Sequence, residues 1–301
     1  MAIGVTAALP AAAATPCTWT ASDLPMPWGA AYAGTSAASP NGYIAAAARV
    51  DSASEVVVWH DRVPTELPPP PAGTYLRVAG INNRGDVVGR AAFTELSAAY
   101  AYIGGVYHVL PSPARYATDA IAINDHGDVV GYASNGITPA QVILWPADAP
   151  GTYQLIATGD AVGIDNDRHV VTQDGRVWSP DGTIRKLPGD DLVVQQFHNG
   201  RIVGRERAVE ELIQWDVTGT ELGRTPGVTA AGINAGGLLA AWYYKDGITN
   251  TLGAWRGGTF LGDVSDYNTV VDTVTDDDLL VGAHAPIRPD RPWVPTTLSC
   301  S

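Results

Sequence analysis

A small set of arginines, aromatics, histidines and aspartates could carry chemistry in this 301-residue chain. Arg90, Tyr132, Gln173, Arg205 and Trp242 stand at matching places in a pattern that recurs about every forty residues, and His284 sits one residue later in its own copy. Tyr243 adjoins Trp242, while Arg115, Tyr116 and Asp119 lie just ahead of another copy. Trp28, Asp160, Asp190, Asp191 and Tyr267 hold comparable positions elsewhere. Aromatic faces with a few convergent polar groups suit a glycan, peptide or small-molecule pocket. Tyr, His, Arg or Asp could equally act as acid and base in proton transfer. The competing reading is that the aromatics pack between neighbouring elements and the arginines pair with surface acids.

Other chemistries find little support. The six histidines are scattered, without paired metal-ligand spacing. There is no G-x-S-x-G elbow. Asp165-Asn166-Asp167 and Asp276-Asp277-Asp278 are acidic, but they lack the spacing of a calcium loop and share one turn position. Arg84-Gly85-Asp86 is an RGD tripeptide in a turn whose sibling reads His126-Gly127-Asp128. We expect neither a metal nor a cofactor.

The recurring phrase sets the positions of all these residues. It reads Ile81-Asn82-Asn83-Arg84-Gly85-Asp86-Val87-Val88-Gly89 and returns as Ile123-Asn124-Asp125-His126-Gly127-Asp128-Val129-Val130-Gly131. Weaker copies begin at Ile164, Phe197, Ile233 and Val274, and a degenerate one surrounds Asn41-Gly42-Tyr43-Ile44. Asn or Asp bonds the backbone two residues on, and Gly supplies a positive φ, so each phrase turns one strand into the next. An apolar run ending in an aromatic follows each copy: Trp59, Tyr102, Trp145, Trp178, Trp215, Trp255 and Trp293. Each unit reads as four short strands, a to d. In the third unit these are 119–123, 128–133, 141–145 and 153–157.

Pairs such as Val129-Val130 put a hydrophobe on each face of strand b, so both faces must be covered. Strand a is poor in bulk, as at Ala79-Gly80 and Ala120, and the aromatic lies two strands later. Small residues near an axis and large ones further out are the gradient of a β-propeller. The expected fold is all-β: a seven-bladed β-propeller of four-stranded blades over residues 17–301, with an N-terminal strand completing the last blade. Residues 17–25 resemble an orphan strand d, and the seventh unit supplies only a, b and c. Cys17 and Cys300 would then lie on neighbouring strands and could form a disulfide that closes the ring; two free thiols are the alternative. In the chain-entropy model such a bond is worth roughly 5 kcal/mol.

Composition agrees with a large, turn-rich core: 46% hydrophobic residues, 33 Gly and 22 Pro. With 16% charged residues and a net charge of −13, the chain is poorly suited to nucleic acid or to an anionic membrane surface. Residues 1–16 are Ala-rich and uncharged. They read as the remnant of a secretory signal peptide or as a disordered Ala/Pro-rich tail. Pro68 to Pro71 reads as a stiff spacer. We expect a secreted monomer.

The pattern A-x-x-I-N-x-x-G-x-V-V-G, with an aromatic further on, resembles the HAF-repeat family of extracellular bacterial repeat proteins. Gly80 to Gly89 and Ala120 to Gly131 match well, and Ala231 to Ala241 matches in part. Arg168 and Asp278 stand where the pattern has Gly, which puts the turn geometry there in question. The resemblance spans about residues 17–300 and implies an exported, propeller-like protein without implying catalytic residues.

Function is therefore sought where the repeat breaks, in the unequal b–c and d–a loops that share one face of a propeller. The candidates are Arg90, Arg115, Tyr116, Asp119, Tyr132, Arg205, Trp242, Tyr243 and His284. Two functions fit them. One is a binding or interaction module for a glycan, peptide or small molecule on that face. The alternative is a metal-independent lyase, isomerase or cyclase acting on a small, rather apolar molecule in the funnel mouth. The fold does not decide between them.

Overall fold

The computed structural model describes residues 17–27, 30–33, 37–50, 53–68, 75–92, 97–264, 269–284 and 293–301. Expectations placed on residues 1–16, Trp28, 69–71 and Tyr267 lie outside them. Seven antiparallel sheets form the seven blades, each in the strand order a-b-c-d. In blade three the strands are Ala117–Ile123, Val129–Ser134, Gln141–Trp145 and Gln154–Thr158. In blade one, strand a has two pieces, Ala30–Ala33 and Ala37–Ala38, both paired with strand b.

The a strands of blades two to seven are Tyr75–Ile81, Ala117–Ile123, Ala161–Ile164, Leu192–His198, Thr229–Ile233 and Thr269–Val274. Each packs against the next, and Ala37–Ala38 closes the circle between blades seven and two. Small side chains let these backbones approach one another. Hydrophobic clusters fill all seven interfaces between blades. The apolar pairs explain this arrangement. Val129 faces blade two and Val130 faces blade four, so one strand feeds two cores.

The Gly that ends the phrase serves a bulge rather than the turn. Strand a carries a register shift opposite this position in six blades, and four of them have Gly there: Gly89, Gly131, Gly204 and Gly282. A Cβ on Gly131 would lie 1.9 Å from the Asp119 carbonyl oxygen, and one on Gly89 would lie 1.8 Å from that of Arg77. Bulges bend and twist a strand locally, and here the bend occurs where each strand a meets the axis.

Closure follows the expected scheme. Trp19–Asp23 pairs antiparallel with Val294–Cys300, completing blade seven as its outer strand. Cys17 and Cys300 are disulfide-bonded, with Cα atoms 5.2 Å apart, across a sequence separation of 283 residues. One detail of the aromatic register is corrected. The residue opposite the first apolar residue of strand b is Trp59, Tyr102, Trp145, Trp178 or Trp215 in blades one to five, and in blade six Trp255 lies opposite the second, Leu239. In blade seven it is Leu298, not Trp293, which precedes the strand. The long b–c connection of that unit shifted the apparent period.

Candidate binding site

Strand b ends on the loop-rich face, and its bulged partner brings a second side chain to the same height. The resulting cross-strand pairs are Arg77 with Arg90, Asp119 with Tyr132, Val193 with Arg205, and Thr229 with Trp242. Four predicted positions thus share one register, spaced around the ring on blades two, three, five and six.

Three of the predicted residues come together at the junction of blades two and three. The Asp119 side chain is only 2% exposed. Its Oδ2 accepts a hydrogen bond from an Arg77 NH2 at 2.7 Å and from the Tyr132 hydroxyl at 3.3 Å. Arg90 reaches within 3.8 Å of the same oxygen, too far for a hydrogen bond. Asp119 Oδ1 is buried without a partner among the described residues. Both arginine side chains stay partly open to solvent, at 43% for Arg77 and 38% for Arg90. Burial, and then the negative charge of Asp119, push the Tyr132 phenol above its ordinary pKa, so it remains a hydroxyl donor.

Two cations over one carboxylate leave a local excess of positive charge on a strongly acidic protein. Buried Asp119 fixes Arg77 through a hydrogen bond and draws Arg90 by charge alone, and the Arg90 side chain stays partly exposed. Such an arrangement can accept an anionic or hydrogen-bond-accepting group from a ligand, with Arg supplying the planar fork that matches a carboxylate. Arg77 was missed from sequence. Its signal was present: it stands four residues before Ile81, as Asp119 stands four before Ile123.

The remaining candidates are placed elsewhere. Tyr116 is half-buried against the core between blades two and three, and Arg115 is exposed with a positive φ of 67°. Arg205 donates to the Arg207 carbonyl at 2.8 Å. Trp242 is half-buried on the core between blades six and seven. The Tyr243 hydroxyl donates to Asp263 Oδ1 at 2.6 Å, and its ring meets Trp255 and Phe260 edge-on. Burial and this carboxylate push its pKa up. His284 Nδ1 lies 2.8 Å from Thr296 Oγ1 and 3.2 Å from Asp23 Oδ1. Arg205, Trp242, Tyr243 and His284 thus belong to three other blades.

The opposite face, at the a–b turns, is a hydrogen-bonded lattice. Asn124 Oδ1 accepts from the backbone N–H groups of His126 and Asp128 at 3.1 and 2.8 Å. Its Nδ2 donates to Asp128 Oδ2 and to the Asp165 carbonyl of the next blade, both at 3.0 Å. Asn82 repeats this set toward the Asn124 carbonyl, and Asn234 donates to the Thr275 carbonyl at 2.8 Å. The phrase therefore makes a turn and ties it to the next blade.

Arg168 and Asp278 retain the turn, at φ of 65° and 67°. Each uses its side chain to hold the preceding blade. Arg168 pairs with Asp128 at 2.8 Å and Asp148 at 3.2 Å, and Asp278 accepts from Asn234 and Arg256. Burial alone would raise the Asp128 pKa, but bonds from Arg168, Ala147 and Asn124 outweigh it and hold the carboxyl below its ordinary range.

Asp165, Asp167 and His169 offer ligand atoms within 4.8 Å of one another, and among the described residues they are the group that could hold a metal ion. Turn bonding already uses both Asp165 oxygens. Oδ1 accepts from the His169 N–H at 2.7 Å, and Oδ2 lies 3.0 Å from His169 Nδ1.

No protein-family model and no curated protein matches the chain. Solved structures do match its fold. A streptogramin B lyase structure aligns with a TM-score of 0.59 at 14% identity, covering 94% of this chain and 98% of that one. A chain of a mitotic checkpoint complex aligns at 0.56 with 10% identity, covering 100% and 99%. A structure of YCF48 bound to D1 peptide aligns at 0.53 with 11% identity, covering 97% of each. At these identities the likeness establishes the propeller fold.

Proposed function

We propose that this protein is a secreted, monomeric binding module that recognises a glycan, peptide or small molecule on its loop-rich face. The observation that carries the reading is Arg90, a half-exposed guanidinium without a hydrogen bond among the described residues, held beside Arg77 by buried Asp119. A site built only for stability would satisfy both oxygens of its buried carboxylate, whereas Asp119 Oδ1 has no partner among the described residues. The ligand's anchoring group accepts hydrogen bonds from Arg90, with Tyr132 beside it. Export fits the disulfide, and no helix among the described residues is long and apolar enough to cross a membrane. Membership of the HAF-repeat family belongs to the same proposal, on the motif alone. Glycan and peptide arrays probed with wild type and with Arg90→Ala test it. Hits lost in the variant support the site. Unchanged hits would move recognition to another part of the molecule.

A further inference from the structure

On the a–b face, a cleft of about 470 Å³ opens between blades two and three, within the size range of small-molecule pockets. Ile103, Leu110, Val129 and Trp145 form its apolar walls, and His108 and His126 stand at its rim. The Trp145 indole N–H donates to the Pro111 carbonyl at 2.7 Å, which fixes that wall.

Equivalent space is filled at the neighbouring junctions. Between blades one and two, Tyr43 stacks on His60 with centroids 4.0 Å apart, and Tyr102 and Tyr107 pack beside it. Between blades three and four, Arg168 reaches back to Asp128 and Asp148. Blade three has Gly127 where blade four has Arg168, so no side chain enters from that turn. Arg84 covers Gly127 but is held by Asp86 and the Asp125 carbonyl. The outer part of the junction stays open.

The lining has a charge bias. The chain has 31 acidic and 18 basic residues, yet this cleft is lined by no aspartate or glutamate among the described residues. Arg84, His108 and His126 line it, and neither imidazole has a hydrogen-bond partner among those residues. We propose that the cleft is a second binding site, separate from the loop face, and that it takes a small aromatic carboxylate. The ring lies against Trp145 and the aliphatic wall, and the carboxylate meets the two imidazoles.

Calorimetric titration with 2-naphthoate, and with naphthalene-2-carboxamide as the uncharged comparator, tests this. Wild type should bind the acid more tightly than the amide. Thr152→Trp, placed to fill the cleft, should weaken naphthoate at least tenfold, as should Ala147→Trp on the same rim. Having two filling variants protects the test from one that fails to fold. His108→Ala with His126→Ala should remove the preference for the acid. Absence of naphthoate binding at millimolar concentration would overturn the proposal, as would binding that survives both filling variants. Equal affinity for acid and amide would overturn the carboxylate assignment. Concentration-dependent dimerisation that naphthoate blocks would give the cleft to a second copy of the chain and overturn the small-molecule reading.

Discussion

The two ends of the ring are built by opposite rules. At the a–b end, one turn is repeated around the axis, and its buried amides bond both their own turn and the next blade. At the b–c end, the register-matched positions hold Arg90, Tyr132, Gln173, Arg205 and Trp242, five residues of four types. Repetition marks the end that holds the molecule together. Variation marks the end free to acquire a ligand, because residues there have no lattice to maintain.

The largest expected effect concerns ring closure, on which both ends depend. Replacing Cys17 and Cys300 together by Ser should cost up to about 5 kcal/mol in the chain-entropy model, read as a lower urea midpoint. A loss below about 1 kcal/mol would mean that pairing of strands Trp19–Asp23 and Val294–Cys300 closes the ring unaided.

Next is Asn124→Ala, which removes four bonds from a buried turn. Unsatisfied backbone groups there should cost about 3 kcal/mol in urea unfolding. A change within the noise would show that the lattice is not what stabilises this face.

Asp165 sharpens the comparison from the other side, since it is the carboxylate where blades two, three and six have Asn. Burial raises its pKa despite His169, so its ionised form costs stability. Asp165→Asn should raise stability at pH 7, read as a higher urea midpoint. The raised folded pKa means that the cost is present above that value and absent below the unfolded one. The gain should therefore shrink as pH falls through the carboxylate range. Asp128 has the opposite sign. Its lowered pKa contributes stability present above the unfolded value and lost as pH falls through the folded one. Stability of Asp128→Asn should thus approach that of wild type only in acid.

The smallest expected effect is on the loop face. Arg90→Ala should change stability by less than about 0.5 kcal/mol, as for an exposed ion pair, while abolishing the array hits of wild type.

Much of the fold was legible because its signals are local. Turn chemistry, the Val-Val pairs and the small residues of strand a sit within one repeat, and counting repeats gives the blades and the orphan strand. Trp293 misled because the distance along the chain across a long b–c connection does not measure register. The clasp from Asn124 to the Asp165 carbonyl was not legible, since its acceptor is a backbone group 41 residues away in a different blade. Arg90, Tyr132 and Asp119 were legible as positions, but their meeting depends on the bulge that aligns strand a with strand b. The cleft between blades two and three arises from side chains that do not reach it, and an empty volume leaves no motif.

The division between scaffold and binding face is tested most directly by urea unfolding of Asn124→Ala beside Arg90→Ala. The account predicts a loss of about 3 kcal/mol for the first and less than about 0.5 kcal/mol for the second. Equal losses would contradict it, because Arg90 would then be one more structural ion pair and the loop face a second scaffold.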